Sequence, residues 1–148
     1  MIVCDLRAEH LEAVTRIDAL HTSESKPDYW KGVFDRFLEA EREPRRVGLA
    51  AEENGELIGY LLGEVRAFEF GSEACGWIFA VAVDPGRLRK GVAARLTAEA
   101  RARFRAAGVS RVRTMVRRND VDVLSFFRTQ EFVGGSFVQL ELDLEGQI

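Results

Sequence analysis

The sequence has little cysteine, no long apolar run and no segment of low complexity. Its only cysteines are Cys4 and Cys75, too few for a disulfide scaffold or a cysteine-based zinc site. The longest apolar run, 77–83, is far shorter than the ~18 residues of a membrane-spanning helix. Charged residues near the N-terminus leave no room for the apolar core of a secretory signal. We therefore expect a cytoplasmic protein without a metal site or a membrane partner.

The composition is that of a globular protein. Hydrophobic residues make up 47% and charged residues 30% of the chain, which excludes disordered and fibrous classes. Because the 148 residues match the usual size of one domain, and because no linker rich in Pro, Gly or Ser divides them, we expect a single domain over residues 1–148.

The net charge of −3 hides a strong local asymmetry. Residues 87–118 contain eleven basic side chains and one acid, Glu99, a balance of +10, so the rest of the chain carries −13. An acidic remainder would repel a long phosphate backbone, which favours a defined polyanion site over nucleic-acid binding. The stretch also lacks interleaved aromatic residues on which bases could stack. The alternative is that these arginines only coat solvent-facing surfaces.

Hydrophobic periodicity predicts seven strands and four helices in the order β, α, α, β, β, β, α, β, α, β, β. The predicted segments are strands at 2–6, 47–51, 57–62, 77–83, 109–116, 132–133 and 137–144, and helices at about 11–20, 27–43, 90–107 and 120–129. Asn54-Gly55 predicts a tight hairpin turn, and the apolar strand 77–83 is expected to be buried on both faces. The fold class is therefore α/β (α+β), a twisted mixed sheet of six to seven strands with about four helices on both faces.

The most informative segment is 81–96, in which a buried strand ends at Asp84-Pro85-Gly86, a basic run follows and a helix begins near Gly91. The first turn of a helix has unpaired N–H groups and the positive end of the helix dipole, so it suits a pyrophosphate. Gly91 and Ala93 have small side chains or none, so a pyrophosphate can approach the amides at the start of this helix. A Walker loop and a Rossmann fingerprint both fit worse, because the first needs Gly-Lys followed by Ser or Thr and the second needs three glycines that are absent.

These residues resemble motif A of the GNAT superfamily of acetyl-CoA-dependent N-acetyltransferases, Arg/Gln-x-x-Gly-x-Gly/Ala after a strand. Gly91-Val92-Ala93 and Val83-Asp84-Pro85 match it, and segment 120–132 resembles the later helix-to-strand motif of the family. The resemblance implies that acetyl-CoA is the co-substrate and that an amine acceptor attacks it directly. The coenzyme-binding residues that it implies are Val81, Ala82, Val83, Leu88, Arg89, Lys90, Gly91, Val92, Ala93 and Phe127.

The sequence departs from the family pattern at four positions. Leu88 occupies the Arg/Gln position of motif A, although Arg87 and Arg89 flank it. Phe127 stands where many members have a tyrosine as general acid, and Trp77 stands where some have a basic glutamate. The glycine of the closing Gly-Phe pair is Glu131. The resemblance thus predicts weakened but retained coenzyme binding, and it leaves the acid and base unassigned.

Solution chemistry makes the acid dispensable and the base necessary. A thiolate with a pKa of ~8.5 leaves without full protonation, whereas an ammonium with a pKa of ~10.4 must lose a proton before it attacks. Glu64 and Asp120 are the candidate bases, and the Val81 amide is the candidate oxyanion donor. The weaker candidates for proton transfer are Glu69, Glu73, Asp122 and His21, and those for acceptor binding are Tyr29, Trp30 and Trp77.

Two functions therefore remain open. The first is an N-acetyltransferase acting on a protein N-terminus, a lysine or a small amine. The second is a coenzyme-binding sensor or partner subunit that has lost catalysis, which the replacements at 77, 88 and 127 support. The alternating segment 137–144 could close the sheet or pair between subunits, so a homodimer is a further expectation.

Overall fold

The computed structural model describes residues 1–39, 45–87 and 91–146. The chain divides into two compact units, a larger one at Met1–Met115 and a smaller one at Val116–Ile148. Among the described residues, we found no helix with the length and apolar character needed to cross a membrane.

One mixed sheet forms the larger unit. Its strands are β1 (Ile2–Asp5), β2 (Arg46–Glu53), β3 (Glu56–Arg66), β4 (Cys75–Val83) and β5 (Val112–Thr114), and its helices are α1 (Leu11–Thr22), α2 (Pro27–Glu39) and α3 (Val92–Ala106). The smaller unit contains α4 (Val121–Thr129). The described strands follow the order β1-β2-β3-β4-β5, with antiparallel pairs except for the parallel pair of β4 and β5. The predicted fold class is confirmed, with five described strands instead of six to seven.

The turn between β2 and β3 follows from its sequence. Asn54 and Gly55 have φ values of 54° and 79°, which Asn and Gly tolerate better than other residues. The predicted hairpin is therefore present, although its strands extend further than expected.

The helices of the larger unit cover both faces of the sheet. On one face, the ring of Trp30 in α2 packs edge-on against Tyr60 in β3, with 5.4 Å between ring centroids. On the other face, α3 lies so close to β3 that a Cβ at Gly59 would be 2.9 Å from Val92 Cγ1. Because Gly59 pairs with Val83, this close approach places the start of α3 beside the end of β4.

The second half of α3 packs against two more glycines. A Cβ added at Gly76 would lie 2.7 Å from Phe104 Cδ1, and one added at Gly63 would lie 2.9 Å from Phe104 Cζ. The Phe104 ring is fully buried. These contacts hold α3 against the first half of β4.

The C-terminal strands predicted at 132–133 and 137–144 are wrong. Residues 133–146, all of which the structure describes, belong to no strand, and the apolar side chains of Val138, Leu140 and Leu142 are exposed. Alternating apolar residues favour a strand only where a neighbouring strand completes its hydrogen bonds, and no described strand does so here.

Two further expectations need correction. β5 is shorter than the predicted 109–116, since it ends at Thr114. β4 is not buried on both faces, because Phe79 is exposed and residues 80–82 are half-buried. Both differences have one geometric cause, because β4 pairs with β5 only at residues 76–78 and continues beyond it.

Candidate active site

β4 separates from β5 partway along its length. Parallel pairing joins residues 76–78 to residues 112–114 and stops where β5 ends. The hydroxyl of Thr114 donates a 2.9 Å hydrogen bond to the carbonyl of Ile78 at this last paired position. β4 then continues to Val83, paired only with β3 among the described strands. Residues 79–83 of β4 therefore have no described strand partner on the β5 side, and we call the space along this edge the cleft.

A β-bulge marks the point of separation. Leu62 pairs with Ala80 and Gly63 with Ile78, so Phe79 is an extra residue in β4. A bulge bends its strand and increases the local twist. The Phe79 ring packs edge-on against Phe37 of α2, with 5.9 Å between centroids. This bend gives a physical reason for the divergence of β4 from β5.

The backbone of the second half of β4 faces this cleft at alternate residues. The Asp84 N–H donates to the carbonyl of Ile58 in β3 at 2.8 Å, which fixes the register at the end of β4. Successive residues in a strand direct their N–H and C=O groups to opposite neighbours. The backbone groups of Ala82 thus face β3, whereas those of Val81 and Val83 face the β5 side.

His21 in the last turn of α1 reaches the end of β4. Its Nε2 lies 2.7 Å from the carbonyl oxygen of Val83. Since a carbonyl only accepts hydrogen bonds, Nε2 carries a proton, and Nδ1 is the basic nitrogen of a neutral His21. The predicted relay residue is therefore close to the backbone of β4 and retains a nitrogen that can accept a proton.

A short turn connects β4 to α3. The Asp84 carboxylate accepts a hydrogen bond from Gly86 N–H at 3.0 Å, and the Asp84 carbonyl accepts one from Arg87 N–H at 2.8 Å. α3 begins after Gly91, whose φ of 70° is left-handed and which supplies no side-chain cap. Among the described residues, no side chain caps the first turn of α3, so its amides keep their hydrogen-bonding capacity at the positive end of the helix dipole. A Cβ at Gly91 would meet nothing within 4 Å, so the approach is open.

The predicted phosphate-binding residues divide into two groups. Leu88, Arg89 and Lys90 lie outside the described residues. Val92 and Ala93 form the start of α3, where Val92 is buried against the sheet and Ala93 is half-buried.

Two ion pairs hold the turn after β4. Arg87 Nη1 hydrogen bonds to Glu53 Oε1 at the end of β2. Arg16 Nη1 of α1 lies 3.6 Å from Asp84 Oδ2. Arg87, expected to supplement the charge missing at Leu88, thus has a carboxylate partner in this structure.

Glu64 lies directly across the β3–β4 ladder from Trp77. Antiparallel partners place their side chains on one face with Cβ atoms about 5 Å apart. Arg66 contacts both, with its Nε 3.4 Å from Glu64 Oε1 and its Cζ 5.3 Å from the centroid of the Trp77 ring. The carboxylate that the family resemblance expects at 77 is therefore present on the neighbouring strand. Glu69 and Glu73 are exposed in the connection between these strands.

The remaining candidates for acid and base lie in the smaller unit. Asp120 caps α4, since its Oδ1 accepts a 3.2 Å hydrogen bond from Val123 N–H, and Asp122 is exposed in the first turn. Phe127 is buried, and its ring lies edge-on to those of Phe126 and Phe132, each at 5.1 Å. Phe127 thus has a packing role in this unit.

The two tyrosines of the chain, Tyr29 and Tyr60, lie in α2 and β3, and neither occupies position 127 of the general acid. Burial raises the pKa of Tyr60, which is packed against Trp30. Tyr29 is exposed on α2 and can contact an acceptor. The Trp30 ring is buried, and its Nε1 donates a 3.0 Å hydrogen bond to Asp18, so this residue is part of the core.

A second polar region lies at the β1 side of the sheet, away from β5. An open depression of about 980 Å³ there is lined by α1, the start of α2 and the β2–β3 turn. In its wall, His10 Nδ1 accepts from Arg7 N–H at 2.9 Å, and His10 Nε2 lies 2.7 Å from Glu52. The Nε2 atom therefore carries the proton, which opposes metal binding through that nitrogen even though the sulfur of Cys4 is near.

Sequence reasoning missed three features of the cleft. The bulge at Phe79 has no marker in an uninterrupted apolar run. The His21–Val83 hydrogen bond and the Arg87–Glu53 pair join distant parts of the chain. The sequence shows that His21, Arg87 and Glu53 are polar, but it does not show their partners.

Taken together, these elements define an α/β protein with a strand-edge cleft that leads to an uncapped helix N-terminus. The sequence profile of the Acetyltransferase (GNAT) family matches residues 11–132. The chain therefore belongs to the GNAT acetyltransferase family, and it is an acyltransferase. A search of curated proteins gave no significant match.

Solved structures with the same fold extend over nearly the whole chain. The aminoglycoside acetyltransferase AAC(6')-Iy, in complex with a bisubstrate analogue of CoA, has a TM-score of 0.81 and 14% identity over 96% of this chain and 97% of its own. The aminoglycoside 6'-N-acetyltransferase AAC(6')-IG from Acinetobacter haemolyticus has 0.75 and 17% over 97% and 98%. A transcriptional regulator from Bacillus halodurans C-125 has 0.78 and 15% over 97% and 99%. These likenesses concern the fold.

Proposed function

We propose that this protein transfers an acetyl group from acetyl-CoA to the nitrogen of a primary amine. The observation that carries the proposal is the second half of β4, which leaves β5 and leads to the uncapped first turn of α3. In this proposal, the backbone groups of Val81 and the N–H of Val83, which face the β5 side, bind the pantetheine arm as an additional strand. The backbone of Ala82 pairs with β3 and only spaces these two residues. The amides of residues 89–93 bind the pyrophosphate in this proposal, and the open space at Gly91 supports this.

The proposed chemistry is a direct transfer. The amine nitrogen attacks the acetyl carbonyl carbon, a C–N bond forms, the C–S bond breaks and CoA leaves as a thiolate. The Val81 N–H, which faces the cleft, donates to the developing oxyanion. No general acid is assigned at Phe127, and the low pKa of the leaving thiol, about 8.5, permits its departure without one.

We assign the removal of the amine proton to Glu64, with Asp120 as the second candidate. Glu64 is the better candidate because it lies across from Trp77 and about one-third of its side chain is exposed, so water can reach it. Asp120 already accepts a hydrogen bond as the cap of α4.

The acceptor in this proposal is an amine of a protein N-terminus, a lysine or a small molecule, and Tyr29 and Trp77 border its site. Tyr29 offers an exposed ring, and Trp77 lies beside the Glu64 carboxylate. Trp30 acts by supporting Tyr29, whose ring it contacts edge-on at 5.1 Å. Aminoglycosides are suitable first small amines for a screen, because two of the structural neighbours above act on them.

We also propose one cytoplasmic domain over residues 1–148 that forms a homodimer through segment 137–144. The exposed, alternating apolar side chains of this segment support pairing between two copies. Light scattering coupled to size exclusion tests this, since Leu140→Lys with Leu142→Lys should convert a dimer to a monomer, and a monomeric wild type would contradict the proposal.

Calorimetric titration with acetyl-CoA tests the coenzyme site. Gly91→Glu should abolish binding, because its carboxylate enters the open space and repels the pyrophosphate. The control is Gly91→Asn, which tolerates the left-handed backbone and adds no charge, so it separates repulsion from strain. Both variants are checked for folding by thermal melting.

The outcomes separate three possibilities. Binding by wild type together with amine-dependent thiol release supports the acetyltransferase. Binding without release across a panel of peptide and small amines would indicate a sensor or partner subunit. No binding by folded wild type would overturn the proposal.

A further inference from the structure

The ion pair of Arg87 and Glu53 connects two segments that the proposed coenzyme site does not otherwise link. Arg87 ends the turn after β4, and Glu53 ends β2 at the tip of the β2–β3 hairpin. Arg87 Nη1 hydrogen bonds to Glu53 Oε1, and the side chains are 31% and 24% exposed. The guanidinium therefore remains within reach of a ligand from solvent.

The pair lies on the same face of the sheet as α3. Gly59 of β3 contacts the first turn of α3, and its partner Ala51 in β2 shares that face. The β2–β3 register shifts between Ala51 and Glu52, but the extra residue, Ile58, is in β3. Side chains therefore still alternate along β2, and Glu52 points to the other face, where it contacts His10. Glu53 consequently points to the α3 face. Both members of the pair thus lie on the side where the phosphates would bind.

A bound pyrophosphate would compete with Glu53 for this guanidinium. Arginine binds phosphate oxygens in a bidentate, charge-assisted manner, which is stronger than an ordinary hydrogen bond. The Glu53 carboxylate would also repel a nearby phosphate. Because the existing pair is partly exposed, its separation costs little. These conditions favour an exchange of partners when the coenzyme binds.

We propose that Arg87 is a coenzyme-binding residue that exchanges Glu53 for a phosphate oxygen of the coenzyme, and that Glu53 lowers the affinity by competing for it. This inference rests on the proposed function, since it requires acetyl-CoA at the start of α3. It gives Arg87 the positive charge that Leu88 lacks, and it makes the β2–β3 hairpin a determinant of coenzyme affinity.

The test measures the Kd of CoA for four proteins by calorimetry, namely wild type, Arg87→Gln, Glu53→Gln and the double variant. Arg87→Gln should weaken binding by about tenfold or more, because a charge-assisted contact to phosphate is lost. Glu53→Gln should tighten binding by about threefold, because the competitor and its repulsion are removed. The double variant should bind like Arg87→Gln, within about threefold.

Matched controls come from α2. Lys31 and Asp35 form an exposed i,i+4 ion pair, so Lys31→Gln and Asp35→Asn repeat the two charge changes on a helix that covers the opposite face of the sheet from α3. They should leave the Kd of CoA unchanged within about twofold at physiological salt, because exposed charges beyond a Debye length of ~8 Å are screened. S-acetylpantetheine, which lacks the nucleotide phosphates, should bind wild type and all variants equally.

The distinguishing result is that the two substitutions in one ion pair change the Kd of CoA in opposite directions. If Arg87→Gln and Glu53→Gln both weaken CoA binding, the pair only ties the turn to the hairpin, and the exchange is overturned. Unchanged affinity in both variants would also overturn it. Failure of folded wild type to bind CoA would instead remove the proposed function on which the inference rests.

Discussion

The two halves of β4 are both apolar, but they have different neighbours. The first half, 75–78, pairs with β3 and β5 and packs against Phe104 of α3. The second half, 79–83, pairs with β3, bends at Phe79 and meets His21 at its end. One strand therefore stabilises the sheet along its first half and presents backbone groups to a cleft along its second.

The glycines near these halves show the same contrast. Gly76 is required by close packing, because a Cβ there would overlap the Phe104 ring. Gly91 is required by its left-handed backbone and has open space around it. A glycine in this fold thus indicates either tight packing or ligand access, and its surroundings decide which.

The largest expected effect concerns Glu64, which lies beside the first half of β4 but is proposed to act on a reaction at the second. Glu64→Gln should lower kcat/KM for an amine by about 10²- to 10⁴-fold at pH 7, because a positioned base is lost. The rate of the variant should rise about tenfold per pH unit toward the amine pKa of ~10.4, since only free amine then reacts. Thiol release measured from pH 6 to 10 gives both results.

Asp120→Asn is the companion variant. Asparagine caps a helix about as well as aspartate but cannot act as a base. It should therefore keep near wild-type activity. A loss confined to Asp120→Asn would move the base to α4 and exclude Glu64.

The next effect is on stability and tests the packed half of β4. Gly76→Ala should lower the free energy of unfolding by about 3 kcal/mol, because the buried Phe104 ring must shift. Urea denaturation measures it. Adding Phe104→Leu should recover part of the loss, and CoA affinity per folded molecule should be unchanged. A neutral Gly76→Ala would show that the two halves of β4 do not differ in packing.

A smaller effect is expected at the open half. His21→Ala should lower the free energy of unfolding by about 1 kcal/mol, because one hydrogen bond to the Val83 carbonyl is lost and water can enter the space of the exposed His21 ring to replace it. Thr22→Val, which removes a neighbouring hydroxyl that bonds to the Asp18 carbonyl, is the control. A loss as large as that for Gly76→Ala would mean that the second half of β4 is as tightly held as the first.

The smallest expected effect on stability concerns Glu52 in β2, which lies outside both halves of β4 and serves as a reference. The hydrogen bond with His10 lowers the pKa of the Glu52 carboxyl from its ordinary value of 4.5, with Arg7 adding to this. A carboxyl with a lowered folded-state pKa stabilises the fold above its ordinary pKa and loses that contribution as the pH falls through the folded value. Glu52→Gln should therefore cost below about 1 kcal/mol at pH 7 and progressively less as the pH falls below the ordinary carboxyl pKa of 4.5. A difference that grows on acidification would reverse this assignment.

Local sequence signals predicted most of the sheet and helices. The Asn54-Gly55 turn and the apolar stripes of α1 and α3 are encoded by neighbouring residues, so their structures follow from periodicity and backbone preference. The start of α3 was predicted within two residues, since Gly91 marks it.

Features that depend on partners distant in the sequence were not predictable. The alternation of 137–144 is typical of a strand, but a strand also requires a neighbour, which the pattern does not specify. Within the site, the Gly91 region was identified because a motif carries it. The partner of Arg87 and the partner of His21 depend on how β2 and α1 approach β4, which a single sequence does not reveal.

The first turns of α3 and α4 begin differently, and this should give them different rates of amide hydrogen exchange. The carboxylate of Asp120 holds the Val123 amide, whereas Gly91 supplies no side chain to hold the amides of Val92, Ala93 and Ala94. The first turn of α3 should therefore fray and exchange its amide protons with water sooner than the first turn of α4. A phosphate bound there would act as the missing cap. Coenzyme binding should therefore slow amide hydrogen exchange in the first turn of α3.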